Sequence, residues 1–129
     1  MIEIKNIVKS FSGQDILKDL SFTFEKNKTN LVIGQSGSGK TVLLKCLLGL
    51  FKPDKGSILF DGQNIVNMSN KNLKKLRKEV GMVFQGGALF DSMNIEQNIL
   101  FPLQMFSNVS QEEMLDRVNF CLKRVNLEN

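Results

Sequence analysis

Leu31-Val32-Ile33-Gly34-Gln35-Ser36-Gly37-Ser38-Gly39-Lys40-Thr41 is the stretch on which the fold turns. Its last eight residues fill every fixed position of the phosphate-binding P-loop pattern G-x-x-x-x-G-K-[ST]. Gly34, Gly37 and Gly39 allow a tight turn that brings backbone N–H groups against phosphate oxygens, with Gln35, Ser36 and Ser38 completing the cradle. Lys40 supplies a point charge for the terminal phosphates, and the Thr41 hydroxyl is suited to ligate Mg²⁺. Leu31–Ile33 reads as an apolar strand before the loop, and the apolar period from Val42 to Leu50 reads as a helix after it. An anion in the loop would therefore sit on a helix N-terminus, where free N–H groups and the dipole favour negative charge. A Gly/Ser-rich linker is the alternative. The complete match and its two flanks favour a nucleotide site.

Working outward, 129 residues make one domain or part of a larger one, and 42 % hydrophobic residues suffice for a core. No run approaches the roughly 20 apolar residues that span a bilayer, and Met1-Ile2-Glu3-Ile4-Lys5 lacks a signal-peptide pattern. The expectation is a protein that stays in the cytosol. Cys46 and Cys121 fall at helix-period apolar positions without metal-type spacing, so both are expected as buried free thiols. The net charge of +4 has its main cluster at Lys71, Lys74, Lys75, Arg77 and Lys78, around Leu73, Leu76 and Val80. That spacing describes an amphipathic helix with Ser69 as N-cap. A basic surface for nucleic acid or anionic lipid is one reading of it. Without interleaved aromatics, a solvated helix face is favoured, and no nucleic-acid partner is expected.

Ile2–Lys5 and Leu20, Phe22 and Phe24 show the period of two of half-buried strands, with a turn at Ser12–Asp15 between them. The P-loop helix is expected to end near Gly49 and Pro53. Asp61-Gly62, between Ser57–Phe60 and Gln63–Val66, signals a two-residue hairpin. Val80–Phe84 reads as a short apolar strand that stops at Gln85-Gly86-Gly87. Asn94 with Gln97 resembles a capping box for Ile95–Leu100, a run interrupted by Pro102. Ser110 with Glu113 opens a further helix with the stripe Met114, Val118, Cys121 and Val125, flanked by Leu115 and Leu122.

Mononucleotide kinases, small GTPases and transport ATPases all carry a P-loop, so the loop alone is not a function. Antiparallel β before the P-loop strand, Phe11 in a turn region 23 residues before Gly34, and Phe84-Gln85 about 45 residues after the loop narrow the choice. Together they resemble the nucleotide-binding domain of an ABC transporter. The resemblance implies an α/β P-loop NTPase core with an antiparallel β subdomain. Residues 1–30 and 57–66 would form the β region, 31–52 the P-loop strand and helix, 80–85 the Q-loop strand, and 86–129 the start of a helical subdomain. It implies that Phe11 stacks on adenine and that Gln85, the Q-loop residue, ligates Mg²⁺ through its carbonyl and orients water. With ATP and Mg²⁺ as cofactors, Lys40 and Gln85 would serve catalysis. A transmembrane permease and a second ATP-binding subunit, in a homodimer, would be the partners, at the cytoplasmic face of the inner membrane.

Val83–Ser92, reading Val-Phe-Gln-Gly-Gly-Ala-Leu-Phe-Asp-Ser, and Asn98–Leu103 are similar to the ATPases of Mce/Mla-type phospholipid transporters. The sequence contains no Ser-Gly-Gly signature, no Walker B strand with its Asp and Glu, and no His to serve as the switch residue. The expectation is an N-terminal part of a domain about twice as long. Two parallel strands that lie between the P-loop and Q-loop strands in the family would be missing, leaving Leu31–Ile33 and Val80–Phe84 with unpaired edges. A nucleotide-binding module without hydrolysis is the second reading. An ABC-type protein acting on DNA or ribosomes is the third, disfavoured because the 24-residue interval from Gln85 to Val109 holds no sustained heptad.

Overall fold

Strand-period residues at the N-terminus pair as expected, but over a greater length. In the computed structural model, which describes residues 1–84 and 86–127, β1 (Ile2–Phe11) and β2 (Gln14–Phe24) form an antiparallel hairpin turning at Ser12-Gly13. The strand order β2-β1-β3-β4 is completed by β3 (Lys55–Phe60) and β4 (Gln63–Asn64), all antiparallel. Asp61 and Gly62 both have positive φ, +44° and +84°, as the two-residue hairpin read from the sequence requires.

Period two alone fails to explain the buried face of the sheet. Ile4 and Ile7 are both buried although three residues apart. The register of β1 slips between them against both neighbours, and Asn6 between them sits at φ +50°. A β-bulge inserts one residue and restores parity, so both isoleucines face the same way. The Asn6 amide nitrogen donates to Ser21 Oγ at 2.8 Å, and its side chain donates to Asp19 Oδ1 at 2.9 Å. Across the sheet Gly56, at φ +89°, lies so close that a Cβ there would meet Asn6 O at 2.3 Å and Lys5 O at 2.4 Å.

Ile4, Ile7, Leu17 and Ile58 from the sheet bury against Leu43, Cys46 and Leu47 of α1 (Lys40–Leu47), with Ile65 beside them. Each such side chain contributes roughly 1.5–3 kcal/mol by leaving water. The helix stops at Leu47, where Gly49 at φ +63° donates to Cys46 O and Leu50 donates to Lys45 O, both at 2.9 Å. This is the paired bonding of a left-handed glycine cap. α2 (Asn70–Glu79) has Ser69 as its N-cap, and its Leu73 and Leu76 pack against the core. Lys71, Lys74, Lys75 and Lys78 are exposed. Arg77 instead donates to the carbonyls of Leu48 at 2.9 Å and Gly49 at 2.6 Å, capping α1.

Two expected strands are not strands. Leu31–Ile33 and Val80–Phe84 run outside the sheet, with Leu31 and Ile33 each 82 % exposed and Val83 96 % exposed. Among the described residues no strand lies beside either, and a buried parallel strand exists only when neighbours satisfy both its edges and cover its faces.

The chain divides into a unit formed by Met1–Val80 and a second beginning at Gly81. The second unit contains α3 (Ile95–Phe106) and α4 (Gln111–Arg124), which pack on each other. Both capping boxes form. Pro102 does not end α3, as the sequence suggested; the helix continues to Phe106 with Pro102 exposed within it. Of the expected α4 stripe, Val118 is buried and Met114, Cys121 and Leu122 are half-buried, while Leu115 and Val125 are exposed. Cys121 is therefore a free thiol but not a buried one, whereas Cys46 is both. Burial raises the pKa of the Cys46 thiol, keeping it neutral.

Candidate nucleotide-binding site

The loop from Gly34 to Thr41 joins an exposed segment to α1, and of its residues Gly39, just before the helix, is buried. Ser38 donates to Gln35 O at 3.2 Å to form its turn, and Gly37 and Gly39 take φ values of +77° and +92°. Gly37 faces open space, so its role is conformational. Gly39 is needed on two counts. It is buried, and a Cβ there would lie 3.0 Å from Ile16 Cγ2 and Leu17 Cδ2 and 3.1 Å from Ile16 O. The close approach clamps the N-terminus of α1 onto β2.

No side chain caps that N-terminus, and no acidic residue stands in its first turn. Four helix-initial N–H groups lack helical acceptors, and here nothing of negative charge from the helix itself competes for them. Lys40 Nζ donates to the carbonyls of Gly34 and Gln35, each at 2.7 Å, which holds its ammonium across the loop. An ammonium has three donors, so this geometry uses two and keeps the charge at the loop. Thr41 and Ser36 are exposed there. A Mg²⁺ ion prefers hard oxygens and keeps phosphate and water ligands. The Thr41 hydroxyl fits that chemistry, and among the described residues no cluster of His, Cys, Asp or Glu offers a rival metal site.

Phe11 ends β1 opposite Gln14, two residues from the Ile16 that Gly39 touches, so the P-loop and the hairpin tip adjoin. The Phe11 ring is 40 % exposed. It is neither a core residue nor a free one: it meets Phe51 edge-on, with centroids 5.3 Å apart, and has Lys9 Nζ over the ring at 5.2 Å. Lys9 is itself held by Asp54 Oδ1 at 2.9 Å. The contacts of Phe51, Lys9 and Asp54 around Phe11 were not legible in the sequence, because only the cap after α1 brings residues 51–54 to β1. A cleft of about 320 Å³ opens beyond the far end of α1, lined by Cys46, Gly49, Phe51, Ile65, Met68 and Leu73, and includes no P-loop residue.

Gln85 lies outside the described residues. After it, Leu89 is 66 % exposed, while Phe90 meets Phe101 at 4.9 Å between centroids. Asn98 ties this segment to α3: its Oδ1 accepts from Phe90 N at 2.7 Å, and its Nδ2 donates to the carbonyls of Phe90, Met93 and Asn94. The sequence marked Asn98 only as the start of the Asn98–Leu103 resemblance; its bonds to the 90–94 backbone appear only in the fold.

This arrangement of loop, helix and hairpin has known counterparts. The chain is 40 % identical over 98 % of its length to the "Probable ribonucleotide transport ATP-binding protein mkl" of Mycobacterium leprae, covering 36 % of that protein. It is 39 % identical over 98 % of its length to the methionine import ATP-binding protein MetN of Clostridium acetobutylicum, covering 39 % of it. It is 37 % identical over 98 % of its length to the intermembrane phospholipid transport system ATP-binding protein MlaF of Haemophilus influenzae, covering 48 % of it. The chain thus spans about a third to a half of the length of these relatives. A bacterial ABC transporter cassette solved as a dimer superposes on the whole chain with a TM-score of 0.88 at 29 % identity, the chain covering 59 % of it. The same cassette solved as a dimer in a post-hydrolysis state with ADP and Pi gives 0.87 at 28 %, again over the whole chain and 59 % of the cassette. The family described as ABC transporter matches residues 17–129, a span that takes in the glycine-rich loop, both capping boxes and the sheet from Leu17 of β2 onward, and the chain belongs to that family.

Proposed function

We propose that this chain forms the ATP-binding part of an ABC transporter ATPase, and that the protein it represents hydrolyses ATP to energise transport. The observation that supports this best is the uncapped N-terminus of α1, clamped to β2 through Gly39 with the Lys40 ammonium held across the loop. Gly34 to Gly39 would cradle the phosphates, Lys40 would neutralise the terminal ones, and Thr41 would ligate Mg²⁺. Phe11 would stack on the base, an interaction worth roughly 1–3 kcal/mol by analogy with base–aromatic stacking. Gln85 would complete the metal shell and orient water. A Mg²⁺ held by Thr41 and Gln85 would supply positive charge against the charge that develops in phosphoryl transfer, while the loop residues would position the phosphates. A general base and the switch residue would have to come from outside these residues.

Lys40→Ala tests this reading. Loss of charge-assisted hydrogen bonds worth roughly 1.5–3 kcal/mol each should weaken ATP binding by about a hundredfold in calorimetry. Thr41→Ala should mainly impair Mg²⁺-dependent steps. Undiminished ATP affinity in the Lys40 variant would sink the assignment.

Lipid is the proposed cargo, supported by Gly86-Gly87-Ala88-Leu89-Phe90-Asp91-Ser92 and the likeness to MlaF. The likeness to proteins named for ribonucleotide and methionine transport is of the same order, so cargo rests on that segment. A permease and a second ATP-binding subunit are the proposed partners, with the protein peripheral at the cytoplasmic face of the inner membrane. No helix among the described residues is long and apolar enough to cross a membrane. A non-hydrolysing nucleotide-binding role is the second reading. Measuring ATP binding and turnover separately distinguishes the two.

A further inference from the structure

Phe11 is a proposed ligand contact whose position the P-loop does not itself determine. It stands at the tip of a hairpin, where a 40 % exposed side chain would ordinarily sample several rotamers. Two contacts restrain it, and a third residue holds one of them in place. Phe51 meets the ring at an interplanar angle of 66° with centroids 5.3 Å apart. Lys9, two residues back on the same strand face, places Nζ over the ring at 5.2 Å. Asp54 fixes that lysine at 2.9 Å with Oδ1 and accepts from Ser10 N at 2.7 Å with Oδ2.

Phe51 is in turn placed by α1. Its amide nitrogen donates to Lys45 O at 3.1 Å, beside the Leu50 bond to the same carbonyl, and the Lys45 ammonium sits 5.2 Å from the Phe51 ring centroid. The helix whose first turn forms the phosphate site therefore presents, past its glycine cap, the ring that meets Phe11. An edge-to-face aromatic pair adds enough beyond burial to bias a rotamer by several fold. With the Lys9 ammonium over one face of the Phe11 ring, a base stacking on Phe11 would have to take the other face.

We propose that Phe51 is a positioning residue for base recognition: through its edge contact it holds Phe11 in the stacking rotamer and ties the base platform to the P-loop helix. This rests on the reading of Phe11 as the adenine platform. Phe51 touches no nucleotide in this scheme, so its effect must pass through Phe11 and must concern the base alone.

The test compares Mg²⁺-ATP with Mg²⁺-tripolyphosphate, which has the phosphates and no base, by calorimetry on the intact protein. Phe11→Ala, Phe51→Ala, Phe51→Leu, Phe51→Tyr and the Phe11→Ala/Phe51→Ala pair are the variants. Phe51→Ala should bind ATP roughly threefold to tenfold more weakly, a fraction of the base-stacking contribution, with tripolyphosphate unchanged. Phe51→Tyr should restore ATP binding because it keeps the ring edge, and the double variant should be no weaker than Phe11→Ala alone. Phe51→Leu fills the space without a ring, and decides the matter if Phe51→Ala fails to fold. Equal losses for both ligands, or additive losses in the double variant, would make Phe51 ordinary packing and overturn the proposal. Wild-type ATP affinity in Phe51→Leu, with Phe11→Ala weakened, would overturn it while leaving the Phe11 platform standing. Wild-type affinity in Phe11→Ala would remove the platform itself.

Discussion

Lys40, Gly39 and Asp54 show how differently single residues announce themselves. Lys40 was readable from spacing alone, because a phosphate loop needs a charge at that place whatever surrounds it. Gly39 was readable as a glycine, but the reason it must be one includes Ile16 and Leu17, which only the folded chain brings within 3.0 Å of a Cβ. Asp54 was silent in the sequence. Its carboxylate accepts from Lys9 and from the Ser10 amide, and these bonds hold its pKa below the ordinary value. A depressed folded-state pKa stabilises the fold above the unfolded carboxylate range, and that contribution fades as pH falls through about 4 toward the folded value. Asp54→Asn should therefore unfold more easily in urea at pH 7, with the gap from wild type closing as pH drops toward 3. A gap that stayed constant over that range would show that charge is not what Asp54 contributes.

At the scale of elements, local rules predicted starts and stops well and continuity poorly. Ser69, Asn94 and Ser110 cap as their side chains dictate, since a cap is a matter of a few adjacent atoms. Asp61-Gly62 turns for the same reason. Pro102, expected to interrupt α3, stands exposed within it, and its fixed φ suits a helix once the chain around it is helical. The bulge at Asn6 went unseen because it is a property of three strands at once. It makes a prediction of its own. Gly56→Ala would force a Cβ to within 2.3 Å of the Asn6 carbonyl and hold alanine at φ +89°, so it should cost roughly 2–4 kcal/mol from strain and overlap together. The measurement is the midpoint of urea unfolding; an unshifted midpoint would mean that β3 does not approach the bulge as described.

For the molecule as a whole, the exposed apolar segments are the informative feature. Leu31 and Ile33 in the first unit and Val83 in the second stand in solvent where a strand order of greater width would cover them. The 129-residue polypeptide on its own should consequently bind hydrophobic dyes, show poorly dispersed NMR signals and lack ATP turnover. A well-dispersed spectrum with steady turnover would contradict both the folding and the catalytic reading. In the second unit, Phe90 is engaged by Phe101 and Asn98 while Leu89 is free at 66 % exposure, which makes Leu89 the better candidate for a contact with a permease. Gly87, at φ +63°, supplies a backbone state through which the segment after Gln85 could move with nucleotide state. In the intact protein, Leu89→Asp should leave ATP binding unchanged and impair permease assembly or lipid transport; normal assembly and transport would refute the contact.

The glycine-rich loop pattern, the helix caps, the hairpin turns and the family were legible in the sequence, because each is set by residue types at short, fixed spacing. Tertiary structure decided what those spacings could not. It decided that Ile4 and Ile7 share a face, that Arg77 caps another helix, that Phe51 meets Phe11, and that Leu31–Ile33 is no strand. Each of these depends on which distant backbone lies alongside, and a strand or a core is defined by its partners rather than by its own residues.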